Sequence, residues 1–194
     1  MSMDPEREPL TDESGYADRG VFRDVIGHFA TGVAVITAQE DGVPYGVTVS
    51  ALSSLSLEPP MLLVCLNKTS RTQGAIERCG VFGVSVLGER QGGLAVRFAS
   101  DRDDKFEDVI LAAGACCGAP MISGALAHLE CRVVEEAIGG THTVFIAAVE
   151  RAERFDGTPL AYYRGRFGRL TLDHDALAGV RRPVRAGFIW DASA

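Results

Sequence analysis

Small hydroxyl-bearing residues are concentrated in one stretch of the chain. Residues 48–56 read TVSALSSLS, and two prolines follow at 59 and 60. Small side chains leave backbone N–H and C=O groups accessible, and these groups are strong hydrogen-bonding partners. The stretch could therefore present its backbone to the edge of a planar heterocycle. The alternative is a serine-rich loop that leaves a strand, and composition by itself favours that loop.

A second polar segment, 67–72 (NKTSRT), follows the apolar run 61–66 (MLLVCL), and a short helix is predicted over 71–79. Amides at a helix N-terminus attract anions. The hydroxyls of Ser70 and Thr72, with the charge of Lys68 or Arg71, would strengthen that attraction. The segment therefore suits a phosphate group. The alternative is that Ser70 only caps the helix.

Several common kinds of catalytic site are missing from the sequence. There is no phosphate-binding G-x-x-x-x-G-K-[ST] loop and no G-x-G-x-x-G turn of a dinucleotide-binding fold. Ser85 lies in GVSVL, which lacks the second glycine of a nucleophile elbow. His128 and Cys131 would face opposite sides of a strand, which argues against shared metal ligation. The carboxylates cluster in charged loops and do not indicate a glycosidase pair.

Length and composition narrow the class of protein. The 194 residues predict one domain, and 46% hydrophobic with 23% charged residues is typical of a globular protein. A net charge of −7 argues against a nucleic-acid partner. No run of 18 apolar residues predicts a membrane span, and the acidic first twenty residues do not resemble a signal peptide, so we expect a cytoplasmic protein. The five cysteines have no C-x-x-C spacing, and we expect reduced, mostly buried thiols.

The elements that would position these segments are mostly strands. Val21, Phe22, Val25, Ile26 and Phe29 recur on one helical face, with Asp18 as a predicted N-cap and Gly32 as a predicted stop. Helices are also predicted over 71–79 and 89–99, and a charged surface loop over 101–108. The predicted strands are a hairpin over 33–50, a strand buried on both faces over 61–66, a strand over 81–87, a second hairpin from 126–135 and 143–154, and a last strand over 160–172.

About seven strands and two or three short helices follow from this pattern. Because strands succeed strands without regular helical crossovers, we predict a mainly β protein: an antiparallel barrel with helices on its rim. We expect a disordered N-terminal arm over 1–18, a single domain over 19–172 and a tail over 173–194 whose place in the fold is open.

Six segments together resemble the short-chain flavin reductases, the reductase components of two-component flavin-dependent monooxygenases. They occur in the family's order between about residues 20 and 172. The segments are 29–37 (FATGVAVIT), 46–60 (GVTVSALSSLSLEPP), 118–122 (GAPMI), 124–133 (GALAHLECRV), 140–146 (GTHTVFI) and 162–170 (YYRGRFGRL). The resemblance implies a split β-barrel of Greek-key type, a homodimer and a bound FMN or FAD.

The resemblance also implies site residues. Those around the flavin would be Thr48, Val49, Ser50, Ala51 and Ser53 at the ring, Cys65, Leu66 and Asn67 on the ribityl side, Ser70, Arg71 and Thr72 at the phosphate, and Phe98, Ala99 and Lys105 closing the site. The nicotinamide nucleotide would dock at His142, Tyr163, Arg166 and Phe167. The family often has an acidic residue where Thr141 stands, which bears on nicotinamide binding rather than on the fold.

The reaction implied is hydride transfer from NADH or NADPH to the flavin, with reduced flavin passing to a partner monooxygenase. Such chemistry belongs to the cofactors and needs no strong acid, base, nucleophile or metal in the protein. FMN is favoured over FAD because no second dinucleotide-handling motif is visible. Two alternatives remain open, a non-catalytic flavin-binding or sensor protein and an oxidase on the same barrel.

Overall fold

The computed structural model describes residues 15–171, and within them strands dominate as predicted. The helices are α1 (Arg19–Ile26), α2 (Arg71–Cys79) and α3 (Gly92–Ala99), the last preceded by a 3-10 turn over Glu89–Gln91. The strands are β1 (Thr31–Gly32), β2 (Ala34–Glu40), β3 (Val43–Val49), β4 (Leu52–Leu57), β5 (Pro60–Asn67), β6 (Val81–Val86), β7 (Leu111–Ala113), β8 (Pro120–Ile122), β9 (Ala127–Gly139), β10 (His142–Arg154), β11 (Leu160–Tyr163) and β12 (Arg166–Arg169).

The main sheet has seven antiparallel strands in the order β3-β2-β6-β9-β10-β5-β4. Its two edge strands, β3 and β4, are consecutive in the chain and joined only by Ser50 and Ala51. Such a link spans at most about 10 Å. The sheet must therefore curl until its edges come close, which produces a barrel that is split at Ser50–Ala51. We call this place the seam.

Two smaller sheets complete the architecture. The strands β1, β11 and β12 form one of them, and β7 pairs with β8 in the other. In the first, Thr31 lies opposite Tyr162 and Gly32 opposite Ala161. This pairing carries the end of the chain back to the segment that follows α1.

Both predicted hairpins are confirmed. The β2–β3 turn places Asp41 and Gly42 at positive φ, 49° and 80°, the conformation that a two-residue turn between antiparallel strands favours. In the second hairpin, β9 and β10 extend further than predicted, so that only Gly140 and Thr141 separate them. The helix predicted over 71–79 has those bounds in the structure, and Asp18 caps α1 by accepting hydrogen bonds from the N–H groups of Gly20 and Val21.

Four predictions about elements are wrong. Helix α1 ends at Ile26 rather than at Gly32, because Thr31 and Gly32 are held in β1. The serine-rich stretch is not only a loop, since residues 52–57 form β4. The last strand, predicted over 160–172, is a hairpin that turns at Arg164 and Gly165, where φ is 47° and 77°. The strand over 61–66 buries one face only.

The core lies inside the curled sheet and beneath α2 and α3. Phe82, Phe145 and Ile76 are fully buried in its main cluster, and Phe98 is the largest side chain of a second cluster under α3. The close packing of α3 on β3 depends on Gly46. A β-carbon at that position would lie 2.7 Å from the Phe98 ring and 2.9 Å from that of Phe106.

None of the helices between residues 15 and 171 has the length and apolar character that crossing a membrane requires. The predicted N-terminal arm lies outside the described residues as far as residue 14. The predicted tail over 173–194 lies outside them entirely.

Candidate active site

A cleft opens along the seam of the barrel and has two adjoining parts. The larger cavity has a volume of about 980 Å³ and the smaller about 440 Å³. Ser50, Tyr162 and Gly165 line both, so the two adjoin each other. A hydrogen bond from the neighbouring strand β5 fixes the backbone of the seam: the N–H of Cys65 donates to the carbonyl oxygen of Ala51 at 3.0 Å.

Eight of the predicted site residues line this cleft. Ser50, Ala51, Ser53 and Cys65 line the larger cavity, and Thr48, Val49, Ser50, Ala99 and Phe167 line the smaller one. The hydroxyl of Thr48 is already engaged, since it donates to the carbonyl oxygen of Ala95 at 2.8 Å and so ties β3 to α3. Residues 48–50 of the predicted ring-binding stretch and Ala99 of α3 therefore line the same cavity.

Three of the predicted residues turn their side chains into the protein instead. On β5, Leu66 belongs to the core face, while Cys65 and Asn67 on either side of it point the other way. Phe98 is fully buried against Gly46 and Phe106. The Thr72 side chain is also buried, at 3% exposure. Any contact of these residues with a ligand must come from their backbone groups.

The predicted phosphate site is at the start of α2. Ser70 occupies the N-cap position, but its side chain makes no capping hydrogen bond, so the simple capping alternative is not what the structure shows. Arg71 pairs with Asp103 at 2.7 Å, and both side chains are exposed, 61% and 89%. Lys105 reaches the same end of the barrel and donates to the carbonyl oxygens of Gly46 and Phe98 at 3.2 and 3.3 Å.

The charge of Lys105 is perturbed by its surroundings. Partial burial lowers the pKa of Lys105, and the positive charge of Arg71 nearby lowers it further, while Asp101 opposes the shift. Two cations thus lie close enough to repel each other. An anion placed beside both would relieve their repulsion.

The turn that follows β5 is tied to the turn between β9 and β10. Lys68 donates its backbone N–H to the Thr141 carbonyl oxygen at 3.1 Å and its ammonium group to that of Gly140 at 2.8 Å. Asn67 accepts hydrogen bonds from the N–H and the hydroxyl of Thr69, both at 2.9 Å. These contacts place residues 67–72 beside His142.

The residues predicted for the nicotinamide nucleotide are divided between two sheets. His142 begins β10 of the main sheet and has Thr141 Oγ1 2.9 Å from its Nδ1. Tyr163, Arg166 and Phe167 belong to the β11–β12 hairpin, where Tyr163 lies opposite Arg166. Phe167 lines the smaller cavity, whereas His142, Tyr163 and Arg166 line neither.

Several residues that line the cleft are not indicated by any pattern in the sequence. They are Arg23 and Asp24 of α1, Thr31, Tyr162, and the turn residues Arg164 and Gly165. Arg164 holds α1 in place, because its guanidinium pairs with Asp24 at 3.2 Å and its N–H donates to the Gly27 carbonyl oxygen. The glycine at 165 is the feature of the sequence that could have indicated a turn here, although the segment 160–172 is predicted as one strand. Nothing in the sequence alone shows that α1 lies over the seam.

The cysteines do not form a reactive cluster in this cleft. Burial raises the pKa of the Cys131 thiol to about 12 and that of Cys117 to about 11, so both are protonated near neutral pH and poor nucleophiles. Between residues 15 and 171, no three histidine, cysteine or acidic side chains are grouped so as to hold a metal ion.

Comparison with known proteins bears on the cleft directly. The family model described as "Flavin reductase like domain" matches residues 26–171, which include every lining residue except Gly20, Arg23 and Asp24 of α1. The chain belongs to the flavin reductase like family. The prediction of a flavin reductase, and so of an oxidoreductase, is thereby confirmed.

Individual flavin reductases resemble the chain over most of its length. The reductase component of a 4-nitrophenol 4-monooxygenase/4-nitrocatechol 2-monooxygenase from Rhodococcus opacus is 48% identical over 160 residues, 82% of this chain and 85% of the relative. A flavin reductase (NADH) from Kitasatospora aureofaciens is 40% identical over 183 residues, 90% of this chain and 94% of the relative.

A solved structure agrees with the fold. The NADH:FAD oxidoreductase of Streptomyces globisporus, in complex with NAD and FAD fragments, superposes with a TM-score of 0.79. The match covers 87% of this chain and 100% of that chain, with 37% identity. The predicted split-barrel fold of the flavin reductases is confirmed by this likeness together with the observed antiparallel topology.

Proposed function

We propose that this protein oxidises NADH or NADPH, reduces FMN or FAD at the seam of its barrel, and supplies the reduced flavin to a partner monooxygenase. The observation that carries the proposal is the cleft itself. It brings the predicted ring-binding residues Thr48 to Ala51 together with Ala99 and Phe167 in a member of the flavin reductase like family.

The residues present fit a flavin. Ser50, Ala51 and Gly165 are small and leave backbone groups accessible at the walls of the cleft. The cationic side chains of Arg71 and Lys105, and the hydroxyl of Ser70, which makes no capping hydrogen bond, are available to hold the phosphate tail. The phosphate group is common to FMN and FAD, so these contacts suit both.

The contribution of the chain to the reaction is orientation. A bound flavin supplies the hydride acceptor, so the protein needs to hold the nicotinamide ring of the reductant against it. Phe167 provides an apolar wall in the smaller cavity, and its ring packs on Tyr162 with centroids 5.5 Å apart. His142 lies opposite Asn67, and we propose that it contacts the dinucleotide from that position.

The exposure of the phosphate site suits a flavin that is released after reduction. Arg71 is more than half exposed and is engaged by an acidic side chain of the same protein. Exposed ion pairs contribute little to binding. We therefore expect flavin to bind reversibly, as delivery to a separate oxygenase requires.

We also propose that two copies of this chain associate. The apolar face of α1 is exposed in the single chain, with Phe22 at 58% and Val25 at 64% exposure. The outer face of β5 and β10 adds half-buried apolar side chains, among them Leu63 and Ile146. Exposed apolar side chains in this number are typical of subunit interfaces. Val25→Glu should convert a dimer to a monomer in light-scattering chromatography, whereas Ile110→Glu, at another exposed position, should not.

The experiment for the reductase activity measures NADH and NADPH absorbance loss with FMN and with FAD, giving four pairs. Turnover that depends on added flavin is the expected result. Absence of flavin-dependent turnover with all four pairs would overturn the proposal. Tight flavin binding without turnover would instead indicate a flavin-binding protein, and flavin-dependent peroxide formation from an amine or phenol would indicate an oxidase.

A charge introduced at Ser70 tests where the phosphate binds. Ser70→Asp should weaken FMN binding by repulsion between like charges, and it should leave binding of riboflavin, which has no phosphate, unchanged. Ser70→Ala is the matched control and should have a smaller effect on FMN. Equal FMN affinity in the wild type and Ser70→Asp would place the phosphate elsewhere.

A further inference from the structure

Helix α1 lies over the seam with none of its residues buried. It contributes Gly20, Arg23, Asp24 and Ile26 to the wall of the larger cavity, while Phe22 and Val25 are exposed and do not line it. The charged side chains of Arg23 and Asp24 make this wall suited to a polar occupant.

This wall carries one uncompensated positive charge. The charged residues that line the larger cavity are Arg23, Asp24 and Arg164. Asp24 and Arg164 form an ion pair at 3.2 Å. Within residues 15–171, the guanidinium of Arg23 has no hydrogen-bond or ion-pair partner. The occupant that this charge would attract is an anion.

A second group on the same wall also lacks a partner. The hydroxyl oxygen of Thr31 is buried without a hydrogen bond, and no other buried side-chain nitrogen or oxygen between residues 15 and 171 is in that state. Thr31 lines the larger cavity together with Arg23. Buried polar groups are nearly always hydrogen-bonded, so an orphaned one at a cavity wall points to a ligand.

We infer that Arg23 and Thr31 bind a phosphate of the nicotinamide dinucleotide. This inference rests on the proposed function. The reaction brings together two phosphorylated molecules, and the protein offers two separate cationic positions. One is formed by Arg71 and Lys105, which line neither cavity, and the other is Arg23. Because the larger cavity is lined by Arg23 and also by the seam residues Ser50 and Ala51, a dinucleotide held at Arg23 can extend its nicotinamide ring toward the seam.

The test compares two hydride donors in the wild type and in Arg23→Gln, with FMN as acceptor. NADH carries the diphosphate, and dihydronicotinamide riboside carries no phosphate. Arg23→Gln should raise KM for NADH about tenfold, the usual effect of losing a hydrogen bond to a charged group, with little change in kcat. The KM for the riboside should stay within about twofold of the wild-type value. Turnover of the riboside also shows that the variant is folded.

Matched variants separate this contact from a general effect of charge or folding. Arg19→Gln removes a cation one turn earlier on α1 that does not line the cavity, and it should leave the NADH KM unchanged. Thr31→Val, which keeps the side-chain shape, should raise the KM for NADH and leave the KM for the riboside unchanged.

Three results would contradict the inference. The first is an unchanged NADH KM in Arg23→Gln. The second is an equal rise in the KM for the riboside, because a contact to phosphate would not affect a donor that has no phosphate. The third is a raised KM for FAD but not for NADH, which would assign Arg23 to the flavin adenylate. If the wild type oxidises neither donor, the proposed function itself fails, and that outcome is distinct from all three.

Discussion

Asn67 and His142 lie directly opposite each other, at the last position of β5 and the first of β10. The sequence analysis had assigned Asn67 to the flavin and His142 to the nicotinamide nucleotide. Antiparallel register, with side chains of opposed residues on the same face, makes these two positions neighbours. These two assignments, taken together, place both substrates at one end of the β5–β10 pair.

The first prediction uses this pairing. His142→Ala should raise KM for NADH about five- to tenfold, as loss of one hydrogen bond does, and leave the dissociation constant of FMN nearly unchanged. Asn67→Ala should raise the dissociation constant of FMN and leave the KM for NADH nearly unchanged, because Asn67 holds the turn at Thr69 that leads to the phosphate site. Steady-state kinetics and flavin titration measure both. If His142→Ala weakened the binding of NADH and of FMN equally, the assignment of His142 to the nicotinamide nucleotide would be wrong.

The second prediction concerns pH and Lys105. Because burial and Arg71 lower the pKa of Lys105, its ammonium group loses its proton at a lower pH than an ordinary lysine. FMN affinity should therefore fall as pH rises through that lowered pKa, and riboflavin affinity should not. Lys105→Arg should retain FMN affinity to higher pH, since an arginine stays protonated. A pH profile of the wild type that matches that of Lys105→Arg would count against the role of Lys105.

The third prediction treats Asp103 as a competitor for the phosphate. Its carboxylate occupies Arg71 at 2.7 Å, so a phosphate must displace it. An exposed pair contributes at most about 1 kcal/mol, and Asp103→Asn should therefore tighten FMN binding about two- to fivefold. Asp104→Asn is the matched control, because Asp104 pairs with Arg102 instead. Fluorescence titration measures both, and unchanged affinity in Asp103→Asn would show that Arg71 is already free to bind.

The fourth prediction concerns Glu130, a buried carboxylate away from the cleft. Its oxygens accept the N–H groups of Ala115, Cys116 and Cys117 at 2.9, 2.6 and 2.7 Å. Burial raises the pKa of Glu130, but the bonds from Cys117, Cys116 and Ala115 together outweigh it and hold that pKa below its usual value. Glu130→Gln should lower the free energy of unfolding by about 2–4 kcal/mol at neutral pH.

The sign of the pH effect follows from the lowered pKa of Glu130. A carboxylate with a depressed pKa stabilises the folded state above its unfolded pKa, near 4.5, and this contribution is lost as pH falls through the folded value. The stability of the wild type should therefore converge on that of Glu130→Gln below about pH 4.5. Melting temperatures of both proteins, measured from neutral pH to below about pH 4.5, test this convergence. A constant difference between the two proteins at all pH values would contradict the proposed role of the carboxylate.

Local patterns predicted the local structure well. The apolar alternation and the Asp41-Gly42 turn were sufficient for the first hairpin, and residues 71–79 form the predicted helix. Residues 52–57 were harder, because serine is not typical of strands, and β4 exists by pairing with β5. Arg164 at positive φ is uncommon for a residue with a side chain, so the final hairpin was read as one strand.

The cleft was predictable only in part. Resemblance to the flavin reductases located the residues from Thr48 to Ala51, and the structure places them on the cavity walls. Sequence patterns do not indicate Arg23 and Thr31, because their proposed role depends on α1 lying across the seam, where Arg23 lines the cavity. That arrangement comes from contacts between distant parts of the chain, such as Arg164 with Asp24, and no local pattern encodes them.

The central claim is that the seam at Ser50 and Ala51 holds the flavin ring. A crystal structure of the protein with FMN tests it most directly. The account predicts the ring along Thr48 to Ala51 and the phosphate within hydrogen-bonding distance of Ser70, Arg71 or Lys105. Density for FMN at another place, with this cleft filled by side chains, would contradict it.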